Sequence, residues 1–275
     1  MIEPLRDPLL RASQCMPFPA FLTKSLPTRW AHRPFTVYLG DAELRWCGGP
    51  RDSIGYQLCF GGLRHGAMRR PETVLLLEEL ARCERFLDVG ANTGLFSIAG
   101  CATNSRLEVI AVEALPNQCT MFRNNVALNG FGGRIRIKEL ALADHDGVVD
   151  FHEAEDCTMG SLNTKGYQGQ QGNVISVRCT TLDQLLTEES FHPDLVKVDV
   201  EGFEDVVLSG GEQMLSVTRP RMVIEVNEDM DCTLLVQLFA KHRYAVQNIT
   251  AGGLIPSDRI FPSSDGNNWL CIPKR

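Results

Sequence analysis

Apolar and polar positions change rhythm repeatedly along this chain, and each change marks an element. Phe86-Leu87-Asp88-Val89 is a short apolar run that stops at Gly90, and Leu95-Phe96-Ser97-Ile98-Ala99 resumes after Gly94. This predicts a buried strand, a tight turn and the first turn of a helix. Behind it, apolar runs at 108–114, 135–142, 195–202, 221–227, 244–249 and 269–273 alternate with helical patterns at 116–128, 182–189, 204–215 and 230–242. That alternation predicts an α/β fold: a mostly parallel, seven-stranded sheet with helices on both faces. Two runs, 147–153 and 174–180, break the rhythm and predict an inserted pair of strands, joined by a Gly-, Gln-, Asn- and Ser-rich loop at 156–173.

Ahead of the sheet, 36–39 and 43–47 flank Gly40-Asp41 and predict a hairpin. Asp52-Ser53 caps a short helix that Gly61-Gly62 stops. Pro71-Glu72-Thr73 opens a second helix, with Val74, Leu75, Leu77 and Leu80 largely on one side. Residues 1–35 hold six of the 14 prolines and are expected to form an irregular arm. Residues 36–275 are expected to be one domain, divided into hairpin and helices (36–84) and a core (85–275).

Composition narrows the class. A hydrophobic content of 44% suits a globular chain with a sizeable core, and no apolar run approaches the ~20 residues of a membrane helix. A net charge of -7 argues against a dedicated nucleic-acid binder. The ten cysteines are scattered singly, with no C-x-x-C pair, which suits reduced thiols in a cytoplasmic protein.

The candidate chemistry lies at the strand exits. Glycines at 90 and 94 permit tight or positive-φ geometry and close approach of a ligand. Asp88 would repel a phosphate, and Asn92 stands where the middle glycine of a dinucleotide fingerprint belongs. The pattern therefore disfavours a nicotinamide cofactor and favours a ligand with positive charge. About twenty residues on, Glu113 ends the second strand, where a carboxylate takes both hydroxyls of a ribose. Acid, Gly-x-x-x-Gly, acid is the arrangement by which class I (Rossmann-like) methyltransferases hold S-adenosylmethionine, which has an adenosine and a sulfonium but no phosphate.

From these residues onward the chain resembles the FkbM family of S-adenosylmethionine-dependent methyltransferases. The likeness rests on Asp88-Val89-Gly90-Ala91-Asn92-Thr93-Gly94, Glu113 with Pro116, Asn124, Asn129, Thr181-Leu182-Asp183 and Glu225. Its most specific part is Lys197-Val198-Asp199-Val200-Glu201-Gly202 with Glu204. It covers roughly residues 36 to 250. The resemblance implies O-methylation of a hydroxyl on a small molecule such as a sugar or secondary metabolite, without identifying the acceptor.

Roles follow from position. Asp88, Gly90, Ala91, Asn92 and Gly94 are expected beneath the methionine part of the cofactor, and Glu113 with Ala114 at the ribose. Ala141, Leu142 and Asp144 are expected at the adenine. Strand periodicity places Leu195, Lys197, Asp199 and Glu201 on one face if the strand stays regular. Lys197, buried mid-strand, requires a carboxylate partner. Asp199 is expected beside the transferable methyl, with Asp199 or Glu201 removing the acceptor's proton and Glu225 close by. Mg²⁺ held by Asp199, Glu225 and Asn227 is the alternative activator. His145 and His152 are further candidate bases, and Ser161, Asn163 and Tyr167 make the 156–173 loop an expected acceptor lid. Methylation of nitrogen or a carboxylate would use the same cofactor site, and a non-catalytic binding module is the remaining class. A hydroxylated small molecule is the expected partner, with no nucleic acid or membrane, and a homodimer is compatible.

Overall fold

The computed structural model describes residues 28–39, 41–48, 52–62, 70–153, 160–161 and 173–275. Trp30, at the end of the proline-rich arm, is fully buried; residues 1–27 lie outside the described residues. Strands β1 (Phe35–Leu39) and β2 (Ala42–Trp46) pair antiparallel as the expected hairpin and bury Phe35, Val37, Leu44 and Trp46. Helix α1 (Ser53–Gly61) begins where the Asp52 carboxylate accepts the Gly55 N–H at 2.9 Å, satisfying a donor the helix itself cannot. Helix α2 (Pro71–Leu80) opens on its proline. It buries Thr73, Leu76 and Leu80, whereas Val74, expected on the inner side, is exposed. The spacing of one, four and eight is the narrower face, and Leu75 and Leu77 flank it.

Two β/α units follow: β3 (Arg85–Val89), α3 (Leu95–Thr103), β4 (Glu108–Glu113) and α4 (Pro116–Asn129). Gly130, at φ 69, ends α4 in the left-handed turn that glycine adopts without strain. The expected third strand is two strands. β5 (Ile135–Glu139) joins the main sheet, and after Leu140 the chain turns out as β6 (Ala141–Ala143). There it pairs parallel with β9 (Asn173–Thr181), which also pairs antiparallel with β7 (Gly147–Glu153). A two-residue β8 (Gly160–Ser161) completes this separate four-stranded sheet, larger than the inserted pair expected. The rest of the expected lid, including Asn163 and Tyr167, lies outside the described residues.

The remainder returns to the main sheet through α5 (Leu182–Glu188), β10 (Leu195–Val198), α6 (Glu204–Ser209) and β11 (Arg221–Glu225). The helix expected at 204–215 is interrupted after Ser209. A Cβ at Gly210 would lie 2.3 Å from the Ala143 carbonyl oxygen, so the backbones touch there, and a π-helical turn (Met214–Thr218) follows. Helix α7 (Thr233–Lys241), β12 (Tyr244–Thr250), β13 (Gly253–Ser257) and β14 (Asn268–Pro273) finish the chain.

The sheet order is β13-β12-β14-β11-β10-β3-β4-β5. It contains the seven expected strands, with β14 antiparallel between β12 and β11, and adds β13 at one edge. Side chains alternate between two buried layers, as a strand's period of two requires. Phe86, Val109, Leu195 and Val223 face one layer, with α3, the hairpin and α1; Leu87, Ile110, Val196 and Ile224 face the other. Two α4 amides dock the hairpin: Asn125 accepts the Cys47 N–H at 2.8 Å, and Asn129 bonds both the N–H and the carbonyl of Arg45 at 2.7 Å. No helix among the described residues is long and apolar enough to cross a membrane.

Candidate active site

A cavity of about 340 Å³ opens where β3, β4, β10 and β11 end, beneath residues of α1 and α2. Small-molecule sites on open α/β sheets form at these carboxyl ends.

The exit of β3 is built by the protein for itself. Gly90 and Ala91 both donate to the Val112 carbonyl at 3.0 Å. A Cβ on Gly90 (φ 74) would lie 1.8 Å from the Asp199 carbonyl oxygen, and one on Gly94 (φ 91) would lie 2.1 Å from the Phe122 ring. The two glycines therefore make room for protein atoms, a different use from the ligand approach expected of them. Asn92 takes the left-handed conformation at φ 52, which asparagine tolerates, and its Oδ1 accepts the Thr93 N–H at 2.8 Å.

Glu113 clips this turn to β4. Its two carboxylate oxygens accept the N–H groups of Asn92 and Leu115, each at 2.8 Å. Burial pushes its pKa up, and those N–H groups pull the other way. Glu113, Ala114, Ala141 and Leu142 all line the cavity, with Leu115 and Leu140. Asp144 does not; its carboxylate contacts the His145 ring at 2.7 Å, out at the surface. The turn that follows β6 carries it away from the pocket. The His152 side chain lies outside the described residues.

Asp88 sits under the cavity rather than in its wall. It is 1% exposed, and Ser97 donates to its Oδ2 at 2.6 Å, while its Oδ1 has no partner. On the next strand Lys197 lies in register with it. Lys197 is buried and donates to Asp199 Oδ2 at 2.8 Å. Burial works to strip its proton, but Asp199 and Asp88 together outweigh burial and raise its pKa. Burial likewise opposes ionisation of Asp199, yet Lys197 and a hydrogen bond from Glu225 hold its pKa below the usual carboxylate value.

Glu225 is the counterpart. Burial first, then the Asp199 charge, push its pKa up to about 10, so it keeps a proton and donates it to Asp199. The Asn267 amide donates to Glu225 Oε1.

Strand regularity ends at Val198. Glu201 takes φ 54 and Gly202 φ 95, so the even alternation that would carry Glu201 onto the face of Lys197 does not extend to it. What fixes this irregular exit is Glu204, which is fully buried and accepts the N–H groups of Val200 at 2.9 Å and Gly202 at 3.3 Å. Burial pushes the Glu204 pKa up to about 7. The Glu201 pKa is raised too, by burial and then by the Asp199 charge. Asn227 donates to Glu201 Oε2 at 3.3 Å. Among the described residues, the acidic side chains that bring three carboxylate oxygens within 4.8 Å of one another are Asp199, Glu201 and Glu225.

Residues 88–246 match the model of the methyltransferase FkbM domain, more than half of the chain. The chain belongs to the FkbM methyltransferase family. It is 27% identical over 147 residues to the 2-O-methyltransferase NoeI of Sinorhizobium fredii (strain NBRC 101917 / NGR234). That match covers 48% of this chain and 59% of the relative, so the chain spans less than two thirds of it. Among solved structures, it is similar to a methyltransferase FkbM from Methylobacillus flagellatus KT (14% identity, 82% of this chain, 56% of the other, TM-score 0.46). A SAM-dependent methyltransferase from Agrobacterium tumefaciens is similar at 14% identity over 88% of this chain and 71% of the other, TM-score 0.47. Family membership rests on the family model, not on these two likenesses.

In this FkbM methyltransferase, one wall of the cavity went unforeseen. Ser53, Ile54 and Gln57 of α1, and Arg70, Glu72, Thr73 and Leu76 at α2, line it from before the matched region. Neither helix carries a motif, and only their docking over the strand ends brings them in. Asn268, from the antiparallel strand β14, lines it too. The antiparallel register of β14 on β11 puts it there, opposite Glu225.

Proposed function

We propose that this methyltransferase transfers the methyl group of S-adenosylmethionine to a hydroxyl of a small molecule, with Glu201 as general base. The observation that carries this is the division of labour at the exit of β10. Asp199 already accepts from Lys197 and Glu225 and is held ionised by them, so it is a weak base. Glu201, beside it in the cavity wall, has its pKa raised by burial and by the Asp199 charge, which makes it the stronger base of the two.

The residues present fit the cofactor. Each Glu113 oxygen accepts one backbone N–H and keeps a lone pair for a ribose hydroxyl. Ala114, Leu115, Leu140 and Leu142 offer an apolar slot for the adenine. S-adenosylmethionine supplies, when bound, a methyl group on a positively charged sulfur. The protein's part is to align the acceptor and take its proton: as the acceptor oxygen forms its bond to the methyl carbon, the carbon–sulfur bond breaks and the hydroxyl proton moves to the Glu201 carboxylate. The ionised Asp199 favours the sulfonium in the ground state, and Lys197 keeps Asp199 ionised. O-methylation is supported by the name of the 2-O-methyltransferase relative. A small acceptor, rather than nucleic acid, suits a net charge of -7.

A metal-assisted route has one observation in its favour, the convergence of Asp199, Glu201 and Glu225. Against it, the Lys197 ammonium already occupies Asp199, and Glu225 holds a proton that Mg²⁺ would have to displace. Calorimetric titration with S-adenosylhomocysteine, with and without Mg²⁺, tests both readings. Binding that is Mg²⁺-independent and falls at least about tenfold in Glu113→Ala supports the proposal, since a bidentate charged contact is worth at least that much. No binding by the wild type overturns the cofactor, and strict Mg²⁺ dependence of methyl transfer overturns the carboxylate base.

A further inference from the structure

Around Glu201 the cavity wall presents lone pairs, and its donors are already engaged. Asp199, Glu201 and Glu225 bring carboxyl oxygens within 4.8 Å of one another, and Asn268 lines the cavity beside them, opposite Glu225. Lys197 donates to Asp199, the Asn227 amide to Glu201, and the Asn268 Nδ2 to Asn267 Oδ1 at 3.0 Å. Arg70, exposed and with an interaction of its own, already favours the ionised Asp199. The Asn268 Oδ1 is left over: it accepts no hydrogen bond from the described residues.

That oxygen cannot trade places with its amide nitrogen. Asn267 gives its own Nδ2 to Glu225 Oε1, so it turns its Oδ1 to Asn268 and can take only an N–H there. The backbone is held as firmly. Asn268 is in register with Glu225 on one side and Ile249 on the other, and its carbonyl accepts from Asn248 at 3.3 Å. An acceptor atom fixed in this way costs little further ordering when a ligand meets it. A carboxylate or carbonyl reaching this wall would meet lone pairs alone, whereas a hydroxyl can donate. Phe203 and Val223 add apolar surface to the same cavity, which suits a ring with an apolar face and hydroxyls at its edge. We propose that Asn268 is a specificity-determining residue: while Glu201 takes the proton of the hydroxyl being methylated, Asn268 Oδ1 accepts from a neighbouring hydroxyl of the same molecule. This rests on the methyl-transfer reading above and gives a role to a residue beyond the family-matched region, which ends at 246.

The test follows methyl transfer by the full chain from S-adenosylmethionine to paired probes. One of each pair is the methyl glycoside of a hexopyranose; the other is its monodeoxy counterpart, lacking a hydroxyl next to the methylated one. The wild type is expected to favour the parent at least about tenfold in kcat/KM, because a site that binds a hydroxyl leaves its own oxygen unmet when that hydroxyl is missing. Asn268→Ala is expected to bring the ratio within about twofold, and Asn268→Leu, similar in size but without an acceptor, to do the same. Thermal melts and calorimetry with S-adenosylhomocysteine report whether each variant is folded and keeps its cofactor site.

A wild-type enzyme that uses parent and deoxy probes alike would overturn the second-hydroxyl contact and leave methyl transfer to a hydroxyl standing. Folded variants that bind S-adenosylhomocysteine and keep the wild-type ratio would overturn the assignment to Asn268. Wild-type protein that binds S-adenosylhomocysteine but methylates no glycoside would overturn the contact and leave the cofactor reading intact. Wild-type protein that does not bind S-adenosylhomocysteine would instead bring down the cofactor reading.

Discussion

The two central strands, β3 and β10, lie side by side and leave the sheet in different ways. β3 exits through Gly90, Asn92 and Gly94, with every irregular φ met by a residue type that accepts it, and the turn is tied to β4 by Glu113. β10 exits through Glu201, a residue that gains nothing from φ 54, and a buried carboxyl beneath the turn braces it by accepting two backbone N–H groups. The first exit is a scaffold that a ligand could leave unchanged. The second keeps charge, a proton and an unfavourable conformation together, as reactive sites do. They meet at Gly90, where the turn touches the Asp199 carbonyl.

The contrast can be broken most severely at Lys197, which serves both strands. Lys197→Met should cost about 3–5 kcal/mol in urea unfolding at neutral pH, because Asp88 and Asp199 lose their shared cation in a buried setting. The loss should shrink in acid, where those carboxyls take up protons. If the cost were the same at every pH, packing rather than charge would be the cause.

Next in size is an effect on rate alone. Glu201→Gln should lower kcat by about 10²-fold or more, while S-adenosylhomocysteine affinity stays within about twofold. Asp199→Asn should instead weaken cofactor binding as well as kcat. If the two variants behaved alike, the separate roles given to these acids would fail.

The smallest effect sharpens the comparison through pH. Glu204 has its folded pKa raised from 4.5 to about 7, so between those values the folded state binds the extra proton. Stability from this group is therefore greatest below pH 4.5, falls as pH rises to about 7, and is level above that, with a slope of at most about 1.4 kcal/mol per pH unit. Glu204→Gln, whose amide oxygen still accepts the two N–H groups, should flatten that slope in unfolding measurements across the same range. A variant slope equal to wild type would place the titration elsewhere.

Much of the β3 exit was legible because its signals are local: glycines and an asparagine at turn spacing, and an acid ending the next strand. The partner of Lys197 was legible too, since a lysine inside a buried strand demands one. What local reading missed depended on tertiary contact. Phe122 and Asp199 claim the space beside the two glycines from far along the chain. Leu140 looks like any strand residue, although there the chain leaves one sheet for another. β13 carries Pro256 between glycines and polar residues and reads as loop; it forms because β12 offers it an edge. Gln57 and Arg70 lie in stretches with no motif, so nothing short of the helix docking could nominate them.

The departure at Leu140 has a consequence for inheritance and engineering. Insertions are tolerated where a loop can absorb them, but here one residue separates pairing partners in two sheets, Glu139 opposite Glu113 and Ala141 opposite Cys179. Adding a single residue would force one sheet to slip, turning each of its side chains to the opposite face. This connection should therefore keep its length, and with it the stretch of cavity wall that Leu140, Ala141 and Leu142 supply.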